Sequence, residues 1–140
     1  MSQENVDLIY RAFDALSRHE LDAFLALMDD DVEIVPRMSA IEGESGYRGH
    51  DGVRRWWSGL LDVFPDYSAE LVEVRDPGDL TFGTFYARGH GAGSAAPTGD
   101  AAWITIRWRR GKAIWWSTFD VRSEALEAAG LSEQDAHAGS

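Results

Sequence analysis

An α+β cone is the fold this sequence predicts: three to four helices, weighted to the N-terminal half, with one curved antiparallel sheet wrapped around them. Three observations predict it. Apolar residues repeat at helical spacing through residues 6–28 and again through 53–64. From Tyr67 onward the spacing changes to strand-like alternation, and four of the six tryptophans (Trp103, Trp108, Trp115 and Trp116) fall in the last two runs. Those runs, 101–109 and 112–121, are separated only by Arg110-Gly111, the length and composition of a tight hairpin turn. Helices followed by consecutive strands form an α+β pattern.

The elements follow in order. Val6, Ile9, Tyr10, Phe13 and Leu16 make one stripe of a first helix, with Ser2 as its N-cap and Glu4 in its first turn. After a break at His19, Leu21, Phe24, Leu25 and Met28 continue as a shorter helix. Asp29-Asp30-Asp31 ends it, and 32–36 reads as a short strand. Residues 38–49 hold three glycines and no periodicity, so they read as a loop. Asp51 is the expected cap of the clearest helix, in which Val53, Trp56, Trp57, Leu60, Leu61 and Phe64 share one face before Pro65 stops it. Residues 67–75 alternate as a strand, Asp76-Pro77-Gly78-Asp79 turns the chain, and 80–90 is the next strand. Residues 91–100 read as a loop before the hairpin. A last helical turn over 123–129 stops at Gly130. No repeat or linker divides the chain, so 1–131 is expected as one domain and 132–140 as a flexible tail.

Simple hairpin register pairs Arg109 with Lys112, Arg107 with Ile114, Thr105 with Trp116 and Trp103 with Thr118. One face then carries Ala102, Ile104, Ile106, Trp108, Ala113, Trp115, Ser117, Phe119 and Val121, and should look inward. The other is mixed and carries Trp103, Ile114, Trp116 and Asp120. Large apolar groups on a face that no helix covers predict a homodimer.

Composition narrows the function classes. The net charge is −11, which repels nucleic-acid phosphates and anionic lipid headgroups. The one basic spot is Arg107, Arg109, Arg110 and Lys112, at a hairpin tip where solvated charge is the ordinary state. No apolar run reaches membrane-spanning length and no basic segment precedes an apolar stretch, so a cytoplasmic location is expected. Cysteine is absent, which removes disulfides and thiolate chemistry. Neither a metal-ligand spacing nor a phosphate-binding glycine loop before a helix is present, so no metal and no cofactor is expected.

Several segments together resemble the SnoaL-like domain of the nuclear transport factor two-like superfamily: SQENVDLIYRAFDAL, HELDAFLALMDDDVEIVPR, YRGHDGVRRWW, the loop AAPTG, and RRGKAIWWSTF leading into RSEALEAAGLSE. The resemblance implies a cystatin-like α+β barrel around an apolar pocket, and a small hydrophobic molecule as partner. It also implies places for chemistry. The carboxylate base of ketosteroid isomerases corresponds to Val35, before Pro36, and their oxyanion tyrosine falls at or near Ala12. The acid of SnoaL-type cyclases corresponds to Val121, with Asp120 immediately before it. Two functions therefore stand side by side: a small-molecule-binding cone, or a cofactor-independent cyclase, isomerase or epoxide hydrolase acting on a cyclic or polyketide-like molecule.

The residues themselves offer two catalytic candidates. Asp120 is a general acid/base if a bulge turns it inward, and otherwise an exposed or interface carboxylate or a helix cap. His90 ends a strand with Tyr86 and Arg88 on its own face, as a ligand-binding trio or as a solvated strand end. Tyr10, Phe13, Met28, Trp57, Trp115 and Phe119 are the expected pocket walls, with Ser117 as an internal polar handle. Glu33 belongs to the cavity or its rim, and His50 to the turn before the central helix.

Overall fold

The computed structural model describes residues 3–36, 46–76, 80–91 and 97–131. Its elements are α1 (Gln3–Ser17), α2 (Leu21–Leu25), β1 (Met28–Val35), β2 (Tyr47–Arg48), α3 (Gly49–Val63), β3 (Ser68–Arg75), β4 (Leu80–His90), β5 (Pro97–Arg109), β6 (Lys112–Phe119) and α4 (Arg122–Ala128). The strands form one sheet in the order β2-β1-β6-β5-β4-β3. Strands β3 to β6 are an antiparallel meander, and β2 runs antiparallel to β1. The predicted all-antiparallel sheet is in fact mixed, because β1 lies parallel to β6. The long chain between those two strands, helix included, supplies the crossover that a parallel pair needs.

Helices α1, α2 and α3 cover one side of the sheet. Ile9, Ala12, Phe13 and Leu16 of α1, Phe24 of α2 and Val53, Trp56 and Trp57 of α3 meet Ile34, Phe85, Ile104, Ile106 and Trp116 in one core. The fourth helix departs from the expected arrangement. It lies on the opposite, outer side, where Ala125, Leu126 and Ala129 pack on Phe82, and Thr105 Oγ1 donates 2.8 Å to the Ala125 carbonyl. Its end is a Schellman turn, with Leu131 N bonded to Leu126 O and Gly130 N to Glu127 O.

Element boundaries moved in four places. Helix α2 is a single turn, because the chain at Leu27 already joins the sheet through Ala113 N (2.8 Å), and β1 begins at Met28. Tyr47 and Arg48 form a short edge strand inside the predicted loop. Helix α3 starts at Gly49, and its N-cap is Arg48, which makes no side-chain capping bond; Asp51 lies in the first turn, paired with Arg54 at 3.0 Å. Strand β5 begins at Pro97, inside the expected 91–100 loop. The predicted cap Ser2 and the tail 132–140 lie outside the described residues.

The hairpin turn forms as expected, with Arg110 and Gly111 both at positive φ (54° and 77°), the signature of a type I′ turn. The register beyond it does not. Arg109 pairs with Lys112 and Trp108 with Ala113, but then Arg107 pairs with Trp115, Ile106 with Trp116, Thr105 with Ser117 and Trp103 with Phe119. Ile114 is therefore an extra residue, a β-bulge, and every residue after it changes side. Strand β1 is irregular at the same level: Met28 pairs with Ala113 and Glu33 with Trp115, so four β1 residues pass one of β6. The excursion is held by Asp29, whose Oδ1 accepts from Asp31 N at 2.9 Å and whose carboxylate meets Arg109 Nη2 at 3.4 Å.

Trp116, expected on the outer side in a dimer interface, is consequently a core residue at 1% exposure. Trp115, Ser117 and Phe119, expected inside, belong to the outer side with Trp103 and Thr105. This assignment predicts that Trp116→Ala costs about 3–5 kcal/mol, the range for a large aromatic in a core. Trp115→Ala should cost about 1.5 kcal/mol or less, since less area leaves water there. Urea denaturation of the two variants decides it, and the reverse order contradicts the bulge.

Candidate functional site

The helix-facing side of the sheet gathers six aromatic rings. Phe13 stacks on Trp116 (5.6 Å between centroids, 24° between planes) and meets Phe85 edge-on at 5.2 Å. Phe24 lies 5.2 Å from both Trp116 and Trp57 and 5.8 Å from Trp56, so it joins α1, α3 and the sheet. Among the expected wall residues, Phe13, Met28 and Trp57 belong to this cluster. Tyr10 does not: Ile9 and Phe13 define the buried stripe of α1, and Tyr10, a third of a turn from Ile9, is 49% exposed. The bulge adds Trp116, which local alternation had put on the other side. Phe24 and Trp56 carried a visible core signal but none that marked them as site residues.

Tyr86 and Arg88 also lie on the outer side, opposite Glu70 and Ser68 of β3. The Arg88 guanidinium stands 4.9 Å over the Tyr86 ring and reaches Glu70 Oε1 at 3.5 Å. Glu33 is on the outer side too, across from Arg48 and Trp115. His50 plays the turn-stabilising part, its Nε2 lying 2.9 Å from the Met28 carbonyl.

His90 has a partner that sequence spacing did not reveal. Asp66, in the turn between α3 and β3, spends both carboxylate oxygens on it. Oδ1 accepts from the His90 backbone N–H at 2.7 Å, and Oδ2 lies 2.6 Å from the ring Nδ1. The backbone bond, then the ring bond, hold the Asp66 carboxyl below its ordinary range, against a smaller opposing effect of desolvation. A carboxylate on Nδ1 selects that nitrogen to carry a proton.

Asp120 is exposed and follows the last residue of β6. The described pairing ends at Phe119 opposite Trp103, and Asp120 stands just past it. The bulge changes the parity of the strand from which the outer side was expected for Asp120. It is not brought together with His90. Phe119 lies level with Thr84 through Trp103, and His90 is six residues further along β4, about 20 Å of strand at ~3.3 Å per residue.

This architecture has many counterparts. A family model for the SnoaL-like domain matches residues 9–119. The chain belongs to the SnoaL-like domain family. An NTF2-like protein of unknown function from Burkholderia pseudomallei K96243 superposes with a TM-score of 0.77 at 18% identity, over 91% of this chain and 97% of that one. IdmH from Streptomyces antibioticus, described as a candidate polyketide cyclase, gives 0.73 at 21% identity over 93% and 100%. A protein with a ketosteroid isomerase-like fold from Catenulispora acidiphila DSM 44928, in complex with trimethylamine, gives 0.72 at 17% over 89% and 92%. No curated protein matches the chain.

Within the SnoaL-like frame, Ala12 is buried against the core, and Val35 pairs with Ser117 on the outer side. Neither offers an acid. The family match stops at Phe119, one residue before Asp120.

The Asp66–His90 pair carries a pH signature. A carboxyl lowered in the folded state contributes stability above its unfolded pKa and loses it as pH falls through the lower, folded value. Asp66→Ala should therefore destabilise the protein at neutral pH, and its difference from wild type should vanish as pH falls through the lowered folded value. Urea midpoints across that range measure it; a difference that persists in acid would contradict the pairing.

Proposed function

We propose that this SnoaL-like protein takes up a hydrophobic, ring-containing small molecule between its sheet and its helices. The observation that carries this reading is the cluster of six rings on the helix-facing side, with Met28 beside them. Aromatic faces and edges stack on ring ligands with little loss of side-chain entropy, and thioethers adapt to their outlines. A relative of the same fold crystallised in complex with trimethylamine supports a small-molecule role for the scaffold. Phe13, Met28 and Trp57 are the proposed walls, joined by Phe24, Phe85 and Trp116. Since Trp57 and Trp116 belong to the cluster, a ring-containing ligand should change tryptophan emission saturably, and Trp57→Phe should remove part of that change. Emission that no such ligand alters counts against the reading.

The Ile114 bulge favours a second reading, cofactor-independent acid/base catalysis on the same kind of molecule. With the bulge changing the parity of β6 just before Asp120, its carboxylate is the group proposed to take a proton from a carbon acid beside a carbonyl and return it elsewhere, as cyclisation or isomerisation requires. Asp120→Asn keeps the shape and removes the base. Turnover should fall by about 10²–10⁴-fold, the usual worth of a general base. Full turnover in this variant would leave the binding reading alone.

A further inference from the structure

We infer that Asp100 selects the molecule taken up: its carboxylate receives a protonated amine carried by the ring-containing ligand. The inference rests on the proposal that such a molecule is taken up between sheet and helices, and it names the chemical class.

Asp100 falls in the segment 91–100 that the sequence reads as a loop, but β5 begins at Pro97 and sets Asp100 opposite Ala87 of β4. Ala87 and the next residue on the same side of β5, Ala102, are buried in the core that the helices cover. Asp100 therefore belongs to the helix-facing side of the sheet. It is out of character there. Among the described residues, the other paired positions of β3 to β6 on that side carry aliphatic, aromatic, glycine or threonine residues, and Asp100 is the one ionisable group. The charged pair of the neighbouring strands, Arg88 with Glu70, lies on the outer side.

Its exposure marks where the interior meets water. Asp100 is exposed while the two alanines beside it are buried at 5% and 0%, so the boundary between packed layer and solvent passes through this residue. A carboxylate at that boundary avoids the cost of full burial and still borders the interior. The rings begin one step further in. Ala102 pairs with Phe85, which meets Phe13 edge-on at 5.2 Å, so Asp100 is the diagonal neighbour of a member of the ring cluster. Diagonal neighbours on two strands stand about 7–8 Å apart, a separation that a substituted bicyclic ring system spans. On the sheet, only the methyl groups of Ala87 and Ala102 flank that line. A ring resting against Phe85 can thus bring an ammonium group to the carboxylate, where a charge-assisted hydrogen bond fixes its orientation. Asp100 also has an interaction within the protein. A carboxylate has about four acceptor sites, so it can keep that interaction and still accept from a ligand. The net charge of −11 works in the same direction, because its field draws cations toward the protein and repels anions.

Three compounds of one shape test this on the full chain by titration calorimetry: 1-naphthylmethylamine, 1-naphthalenemethanol and 1-naphthoate. Wild type should bind the amine about tenfold tighter than the carboxylate, with the alcohol between them. Asp100→Asn should weaken the amine about three- to fivefold, the worth of an exposed ion pair, and leave the alcohol within about twofold. Should that variant fail to fold, Asp100→Ser takes its place. Glu70→Gln removes the same charge from the outer side and should leave the amine's advantage intact. An amine that binds wild type no better than the carboxylate, or binds the Asp100 variant as well as wild type, overturns the inference, while binding of the alcohol keeps the uptake proposal standing. An equal loss in Glu70→Gln overturns it too, since the preference then comes from the overall field and not from contact. If none of the three compounds binds wild type, the uptake proposal falls and this inference falls with it.

Discussion

The register of β6 is the constraint on which the rest depends. This strand lies inside the sheet with β1 on one side and β5 on the other, and its pairing with both changes at Ile114. Two adjacent tryptophans follow, so one residue of register decides which of them enters the core. With the bulge, Trp116 is buried among Phe13 and Phe24. Without it, Trp115 would be turned toward the helices together with Ser117, and Trp116 would face outward. Such a slip exchanges an entire face of side chains, and a buried tryptophan is worth several kcal/mol, so the alternatives are far from equal. The β1 excursion is its counterpart. Asp29, bonded to Asp31 N and facing Arg109, lets β1 rejoin β6 in the new register at Glu33.

The consequences reach both sides of the sheet. On the helix side, Phe24 can meet rings from the sheet and from α3 only because Trp116 is there. On the outer side, Phe119 joins Trp103, Leu80 and the cluster around Phe82 on which α4 lands. Arg122, at the start of α4, stands 5.5 Å over the Phe82 ring and 3.7 Å from Glu73, which also pairs with Arg75 at 3.0 Å. The last helix is placed by an apolar footprint, to which Phe119 of β6 contributes, and by a small ion network.

The same scaffold separates its titratable groups. Asp120 lies where β6 ends, and the Asp66–His90 pair lies at the far tip of β4. Strand ends and turns are the parts of a scaffold that vary, while its packed layers stay constant. The two groups are also held differently. His90 is fixed through backbone and side chain by one carboxylate, whereas Asp120 follows a strand end at the entrance to a helix whose N-cap, Val121, makes no side-chain capping bond.

Much of the molecule was legible in the chain. Helical stripes on α1 and α3, alternation in β3 and β4 and the Arg110-Gly111 turn are local patterns, and each depends on residues within a few positions of one another. Segment motifs carried the family for the same reason. The candidate site was legible only in part: Phe13, Met28 and Trp57 lay on stripes that do face the core, whereas Trp115, Ser117 and Phe119 sat beyond Ile114 and inherited its parity. A bulge has no local signature in Lys112-Ala113-Ile114-Trp115-Trp116, because either tryptophan suits a strand. Which one is buried depends on Phe13 and Phe24, about 90 to 100 residues away, and on the β1 excursion at Asp29. The pairing of Asp66 with His90 is likewise a meeting of a turn and a strand end 24 residues apart. Composition and periodicity determined the cone; the choice of tryptophan and the partner of His90 were decided by packing between distant segments, where one residue of register is settled by the free energy of burying an indole.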